Sequence, residues 1–188
     1  MQSAQNRTRP FRLQQADPEQ FRAATRKASI RIIIVFAISA MLLSALLVTV
    51  FGETGGNNFK WNLTGVGLGL LLTSALVGGL FIKQDWMSAS VYSWRLKRSL
   101  MSITNQMHQL KAAVEQQDPQ AMLLLRFYHQ ALYHMHSLDG NSSAASDLVH
   151  EMDAHAAAMS AMQLELEQPE LNPAWLLHIK DLARQNTP

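Results

Sequence analysis

Two long blocks of the chain contain no charged residue, and they constrain the fold more than any other feature. Residues 32–52 and residues 61–82 are free of Asp, Glu, Lys and Arg. Each exceeds the roughly 20 residues that a helix needs to cross about 30 Å of hydrocarbon. A helix of this length on a soluble protein normally carries a polar stripe, and neither block has one. The sequence therefore predicts two transmembrane helices joined by a short external loop, about residues 53–60.

The positions of the basic residues indicate which side of the membrane the chain ends occupy. Residues 1–31 hold seven Lys and Arg against two acidic residues, and residues 83–98 hold four against one. Because Lys and Arg beside a span favour the cytoplasmic side, both termini are predicted to be cytoplasmic. The basic side chains expected to lie near anionic lipid are Arg22, Arg26, Lys27 and Arg31.

The predicted architecture is all-α, with a two-helix transmembrane hairpin and a cytoplasmic antiparallel helical bundle. Residues 1–16 are polar and are expected to form a flexible tail. Residues 17–82 comprise a basic juxtamembrane helix and the hairpin, and residues 83–188 comprise the bundle. The first helix is predicted to start at Pro18, because proline is favoured at the first helical position.

The bundle is predicted from helix start and stop signals. The second span is expected to continue as helix to about Gln117, because no proline and no glycine interrupts residues 80–117. Asp118-Pro119 is typical of a helix start, and Asp139-Gly140 of a helix end. A further helix over about residues 142–167 and a short one after Pro173 complete the bundle.

Two sets of residues have the spacing of helix–helix contacts. Apolar residues with spacings of three and four form a seam on the extension of the second span. Small residues with a spacing of four form ridges on the span itself, where they can pack within the hairpin or against another copy or partner. The seam is Leu96, Leu100, Ile103, Met107, Leu110 and Val114, and the ridges are Gly65, Gly69, Ser74 and Gly78.

Charge and composition argue against several functions. Residues 99–188 carry ten acidic and four basic side chains, so phosphate repulsion disfavours nucleic-acid binding. The absence of cysteine excludes disulfides and thiolate catalysis. No ionisable residue lies inside either span, which argues against a transport pathway. No nucleophile or phosphate-binding motif is present, so the sequence indicates neither an enzyme nor a cofactor.

A metal site is the alternative that the sequence leaves open. His150, Glu151 and His155 are ligand-type residues on one predicted helix, preceded by Asp147. Carboxylate-bridged metal bundles use a Glu-x-x-His motif from each of two helices, and the second motif is missing here. These three residues are therefore candidate ligands without a complete ligand set.

Two stretches resemble a known family: "NNFKWNLTGVGLGLLLTSALVGGL" with the following "DWM", and "DPQAMLLLRFYHQALYHMHSLDGN". The family consists of uncharacterised proteobacterial inner-membrane proteins defined by a domain of unknown function. The resemblance covers roughly residues 20–165, and it implies two spans with a cytoplasmic helical tail. It implies no catalytic residue.

The sequence therefore favours a membrane-anchored interaction or scaffold protein at the cytoplasmic face of the bacterial inner membrane. Its expected partners are the lipid bilayer and either another protein or a second copy of the chain. The alternative is a metal-dependent enzyme or sensor with a histidine and carboxylate site in the bundle.

Overall fold

The structure is a computed structural model that describes residues 10–185, and this part of the chain is almost entirely helical. The predicted all-α class is confirmed. Two short strands, β1 (Phe11–Arg12) and β2 (Glu170–Leu171), accompany the helices. The α-helices are α1 (Pro18–Phe51), α2 (Phe59–Gly79), α3 (Ser88–Thr104), α4 (Met107–Glu115), α5 (Pro119–Asp139), α6 (Ser142–Ala161) and α7 (Pro173–Gln185), and two 3₁₀ turns (Phe81–Lys83 and Asp85–Met87) lie between α2 and α3.

The described residues form two compact units, each with its own contacts. The hairpin unit is Gln20–Val91. The helical unit holds the described residues up to Glu19 and those from Tyr92 onward. The sequence placed the boundary after residue 82, so the hairpin unit extends further along the chain than expected.

The hairpin unit contains two helices that are long and apolar enough to cross a membrane. An added Cβ at Gly69 would lie only 2.7 Å from the Cα of Ala40, and one at Gly65 would overlap the main chain of Ser44. The Ser44 hydroxyl also donates to the carbonyl oxygen of Asn62 over 2.9 Å. Because glycine has no side chain at these two positions, the backbones of α1 and α2 can pack directly against each other.

Aromatic and basic side chains meet at both ends of the hairpin. Near the loop, the ring of Phe51 stacks on Trp61 with centroids 5.1 Å apart, and the Lys60 ammonium lies 5.1 Å from the same indole. At the other end, the Arg31 guanidinium lies 5.3 Å from the ring centroid of Trp86. The contact between Arg31 and Trp86 joins α1 to the residues that follow α2.

The expected continuation of the second span as one helix to about Gln117 is wrong. α2 ends at Gly79, and Gln84 between the two 3₁₀ turns is extended, with φ −85° and ψ 144°. Glycine is about 1 kcal/mol less favourable than alanine inside a helix, so the Gly78-Gly79 pair weakens the helix at this point. The turn then allows Trp86 to reach its partner on α1.

A second break separates α3 from α4. The Thr104 hydroxyl donates to the carbonyl oxygen of Leu100 over 3.0 Å, and the Gln106 side-chain amide donates to the carbonyl oxygen of Ser102 over 3.0 Å. Such local bonds from polar side chains compete with the main-chain bonds of a helix. The polar run at residues 104–106 therefore ends α3 without a proline or a glycine.

The core of the helical unit is organised around α5, which packs against α4, α6 and α7. Both predicted ends of α5 are confirmed. Asp118 caps the start by accepting from the main-chain N–H of Ala121 over 2.8 Å, and Gly140 ends it with φ 76°. The side chains with no exposed surface include Ile103, Leu110, Leu124, Phe127, Ala131, Met159 and Ile179.

The helix expected over residues 142–167 ends earlier than predicted. α6 stops at Ala161, and Gln163 then adopts the left-handed conformation with φ 56°. The main-chain N–H of Leu164 turns back to donate to the carbonyl oxygen of Met159 over 3.0 Å. This hydrogen bond is typical of the Schellman motif at a helix C-terminus. Gln163 takes the left-handed position that glycine usually occupies there.

The predicted flexible tail is wrong for its described part, residues 10–16, while residues 1–9 lie outside the described residues. β1 pairs antiparallel with β2, with Phe11 opposite Leu171. The ring of Phe11 stacks on Tyr92 with centroids 5.6 Å apart, and the Tyr92 hydroxyl accepts from the main-chain N–H of Gln14 over 3.0 Å. These contacts involve residues distant in sequence, which is why the polar composition alone predicted a mobile segment.

Replacing Ile103 with alanine tests the importance of the buried face of α3. We expect the full chain in detergent to lose about 2–5 kcal/mol in the free energy of unfolding, because the substitution leaves a cavity. Chemical denaturation followed by circular dichroism measures the loss. The control is Met101→Ala on the exposed face of the same helix, which should change stability by no more than about 0.5 kcal/mol. Equal losses in the two variants would contradict this assignment of faces.

Candidate functional site

A cluster of polar side chains lies between α5 and α6 in the helical unit. We call it the histidine cluster, and it consists of Arg126, His129, Glu151 and His155. Only 1% of His129 and 8% of His155 is exposed. Their rings meet edge to face, with centroids 5.3 Å apart and planes at 85°. Ionisable side chains are seldom this buried, so the cluster is the candidate site of the helical unit.

Helical periodicity explains why both histidines face the core. On α5, His129 follows the buried residues Met122 and Leu125 at spacings of seven and four. On α6, His155 continues the face that includes Leu148, seven residues earlier. This periodicity is readable in the sequence, from which only His155 was predicted to belong to a site, as a candidate metal ligand. The contact between the two rings crosses two helices, and no local pattern specifies it.

The two imidazoles differ in their hydrogen bonds. The Nε2 atom of His155 lies 3.0 Å from the carbonyl oxygen of Met122. A carbonyl only accepts, so His155 carries its proton on Nε2 and has its lone pair on Nδ1. Neither ring nitrogen of His129 has a hydrogen-bond partner among the described residues. Its Nε2 atom lies 3.5 Å from the Glu151 carboxylate, which is too long for a good hydrogen bond.

Arg126 and Gln130 connect this region to the segment after α6. The Nε and Nη1 atoms of Arg126 donate to the carbonyl oxygens of Leu166 over 2.8 Å and Met152 over 3.2 Å. The Gln130 amide donates to the same Leu166 oxygen over 3.0 Å and accepts from the main-chain N–H of Gln168 over 2.9 Å. Met152 lies within α6, whereas Leu166 and Gln168 follow it, and side chains of α5 thus satisfy main-chain groups of a segment that has no helix to do so.

Burial keeps both histidines neutral near neutral pH. It lowers the pKa of His129 to about 4, and the nearby Glu151 carboxylate only partly offsets this effect. Burial also lowers the pKa of His155, while the hydrogen bond to Met122 raises it. The Arg126 guanidinium lowers the pKa of both rings. A proton added to either buried ring would place a second positive charge near the Arg126 guanidinium, so the two histidines resist protonation.

Glu151 and His155 both belong to the histidine cluster, but the three candidate metal ligands do not form a ligand set. His150 and Glu151 are exposed, whereas His155 is buried and points into the core. Within residues 10–185, no group of three or more His, Cys, Asp or Glu side chains is arranged to hold a metal ion. The Arg126 charge beside His129 and His155 also disfavours a cation.

The predicted interaction seam lies largely inside the helical unit. Leu96, Leu100, Ile103 and Leu110 are at most 5% exposed, and only Met107 and Val114 are partly exposed. The spacing therefore identified a core face rather than a surface that is free to bind a partner. The seam is also divided by the break between α3 and α4.

The glycine ridges of α2 have two different environments. Gly65 and Gly69 are buried and contact α1, as packing within the hairpin requires. Ser74 is exposed, and a Cβ added at Gly78 or Gly67 would meet no neighbouring group of residues 10–185 within 4 Å. Gly67, Ser74 and Gly78 share one face, which lies about 180° around the helix from Gly65 and Gly69 at about 100° per residue.

The basic residues expected near lipid lie along the first part of α1. Arg22, Arg26, Lys27 and Arg31 are all exposed. Arg31 differs from the others in its position over the Trp86 ring.

The fold and these surfaces define a class: an α-helical protein with a hairpin of two membrane-length apolar helices and a separate helical unit. Residues 11–176 match the family model described as protein of unknown function DUF3087, so the chain belongs to this family. The expected membership of a family defined by a domain of unknown function is thereby confirmed. No curated protein and no solved structure matches the chain.

The low pKa of His129 predicts a pH-dependent stability. Its folded-state pKa of about 4 lies below the ordinary 6.5. As the pH falls from 6.5 towards 4, the unfolded chain binds a proton that the folded chain does not. We therefore expect the free energy of unfolding to decrease over this range by about 3 kcal/mol from His129. Denaturation of the full chain in detergent at a series of pH values measures this decrease.

Matched glutamine variants isolate the contribution of this histidine. His129→Gln should reduce the pH dependence because glutamine does not titrate, and the part that comes from His155 remains. His150→Gln, at an exposed position of α6, is the matched control for replacing a histidine with glutamine. A His129→Gln variant with the slope of the unmodified protein would show that His129 is not the titrating group.

Proposed function

We propose that this protein is a membrane-anchored helical interaction protein. Its hairpin lies in the bacterial inner membrane, and its helical unit lies at the cytoplasmic face. It binds another protein or a second copy of itself through the open face of α2. Its role is one of binding and positioning rather than catalysis.

The observation that carries this proposal is the exposure of the two apolar helices. Only 6% of the apolar window in α1 and 17% of that in α2 is buried within the protein. A core helix of a soluble protein would be mostly covered by its own chain. Large side chains such as Met41, Leu42 and Leu71 are 66–74% exposed. Lipid is the solvent in which such surfaces are stable, and contiguous apolar patches of this size are rare on soluble monomers.

The distribution of charge supports the orientation. Basic residues precede α1 and follow α2, whereas Glu53 and Lys60 offset each other between the helices. This asymmetry favours a cytoplasmic location for both ends of the chain. Aromatic contacts at Trp61 and Trp86 lie at the two ends of the apolar region, where indole rings prefer the headgroup layer.

The open face of α2 supports a binding role. Packing within the hairpin already uses Gly65 and Gly69. In the described part of the chain, Gly67 and Gly78 have open space where a side chain would lie, and Ser74 is exposed. Small residues on a lipid-facing surface allow close backbone approach, which is the main source of attraction between helices in lipid. A second transmembrane helix is therefore the partner that fits this face.

Reporter fusions test the orientation. We expect a carboxyl-terminal fusion to green fluorescent protein to fluoresce and one to alkaline phosphatase to be inactive, since the phosphatase folds only outside the cytoplasm. A phosphatase inserted between Gly55 and Gly56 in the loop should be active and serves as the control. Strong phosphatase activity at the carboxyl end would contradict the proposed topology.

A leucine at Gly78 tests the open face. We expect Gly78→Leu to reduce association several-fold, because the added side chain keeps a second helix away from the backbone of α2. The measurement is crosslinking in native membranes with co-purification of two differently tagged copies and of any crosslinked partner. Gly79→Leu is the control, since Gly79 is equally open but lies about 100° further around the helix. Unchanged association in Gly78→Leu would contradict a role for this face.

A further inference from the structure

The helix α3 has two faces of different character. Its buried face consists of Tyr92, Leu96, Leu100 and Ile103, all at most 7% exposed. The opposite face carries two large apolar side chains that the helical unit leaves uncovered. Trp94 is 56% exposed and Met101 is 65% exposed, seven residues or about two turns apart.

Arginine accompanies the exposed tryptophan. The Arg98 guanidinium lies 5.2 Å from the ring centroid of Trp94, and Arg95 is exposed on the next residue. We call Trp94, Arg95, Arg98 and Met101 the α3 outer face. It combines an indole, a thioether and two guanidinium groups within two helical turns.

The charge of this face is uncompensated in the described part of the chain. α3 contains no acidic residue. Of its three basic side chains, Lys97 pairs with Asp139 over 3.1 Å, whereas Arg95 and Arg98 form no ion pair within residues 10–185. Residues 99–188 carry a net charge of −6, so α3 is a basic strip on an acidic unit. An anionic surface complements this strip, and the acidic remainder would be repelled by the same surface.

Among the possible anionic partners, the position of α3 in the chain favours a lipid surface. α3 begins five residues after Lys83, which ends the second membrane-length segment. Trp94 therefore lies only eleven residues beyond that segment. Amphipathic helices that lie in a bilayer interface combine basic residues with tryptophan and other apolar side chains.

We propose that the α3 outer face binds the surface of an anionic bilayer, with Trp94 and Met101 at the headgroup level and Arg95 and Arg98 on lipid phosphates. The contact attaches the helical unit to the bilayer in addition to its two chain connections to the hairpin unit, at Glu19–Gln20 and Val91–Tyr92. It rests on the proposed membrane location, and it adds a second lipid-binding element outside the hairpin.

The absence of cysteine allows a direct test on the full chain. Met101→Cys is labelled with an environment-sensitive fluorophore, and Leu177→Cys on α7 is the matched control because Leu177 is 60% exposed. Each labelled protein is reconstituted into vesicles of phosphatidylcholine, with or without phosphatidylglycerol. Emission wavelength and quenching by a lipid-attached quencher report whether the probe contacts the bilayer.

We expect a blue shift and strong quenching at position 101 in phosphatidylglycerol vesicles, and neither at position 177. Arg95→Gln with Arg98→Gln, or high salt, should reverse both effects. Each cation near an anionic surface contributes about fivefold to binding, so the double variant should weaken the contact about 25-fold. High salt weakens it because it screens exposed charges.

Two results would overturn the proposal. Identical behaviour of the probes at positions 101 and 177 would show that α3 does not contact lipid. A signal at position 101 that follows the protein-to-lipid ratio rather than lipid charge would show that a second copy covers the face. Resistance to alkaline extraction, measured on the same vesicles, separates this proposal from the proposed function. Extraction of the protein would overturn both, whereas retention with an unresponsive probe would overturn the lipid contact alone.

Discussion

The rest of the structure depends on the apolar surface of α1 and α2, most of which no other part of the protein buries. Burying a large aliphatic side chain contributes about 1.5–3 kcal/mol, and α1 and α2 together leave many such side chains exposed. In a bilayer, lipid chains cover this surface and are as apolar as the side chains. The hydrophobic effect therefore no longer holds the two helices together. Their association then rests on close packing at Gly65 and Gly69, where a single added methyl group would collide with the main chain of α1.

Much of the fold could be predicted from the sequence because several signals are local. The two uncharged blocks lie largely within α1 and α2, and Asp118 and Gly140 cap the two ends of α5 as predicted. Where the prediction failed, a contact between residues distant in sequence outweighed the local signal for a continuing helix. The predicted helix from the second span to about Gln117 includes Gly78 and Gly79, yet the chain turns there and places Trp86 against Arg31.

The candidate site was less predictable than the fold. Helical periodicity places His129 and His155 on core faces, but their mutual contact depends on the rotation of α5 and α6 about their axes. The same limitation affected the interaction surfaces. An apolar spacing cannot distinguish a side chain that packs in its own unit, such as Leu100, from one that binds a partner. Only the structure separates the occupied side of α2 from the side that includes Ser74.

The pairing of β1 with β2 has a consequence for the order of assembly. Phe11 meets Leu171 only after nearly the whole chain has left the ribosome, because 160 residues separate the two partners. Contacts this distant in sequence carry a large loop-closure entropy and form late. Both membrane-length helices lie between them, so they emerge first and can enter the bilayer before the helical unit closes. We therefore expect the pairing of β1 with β2 to be among the last contacts of the helical unit to form.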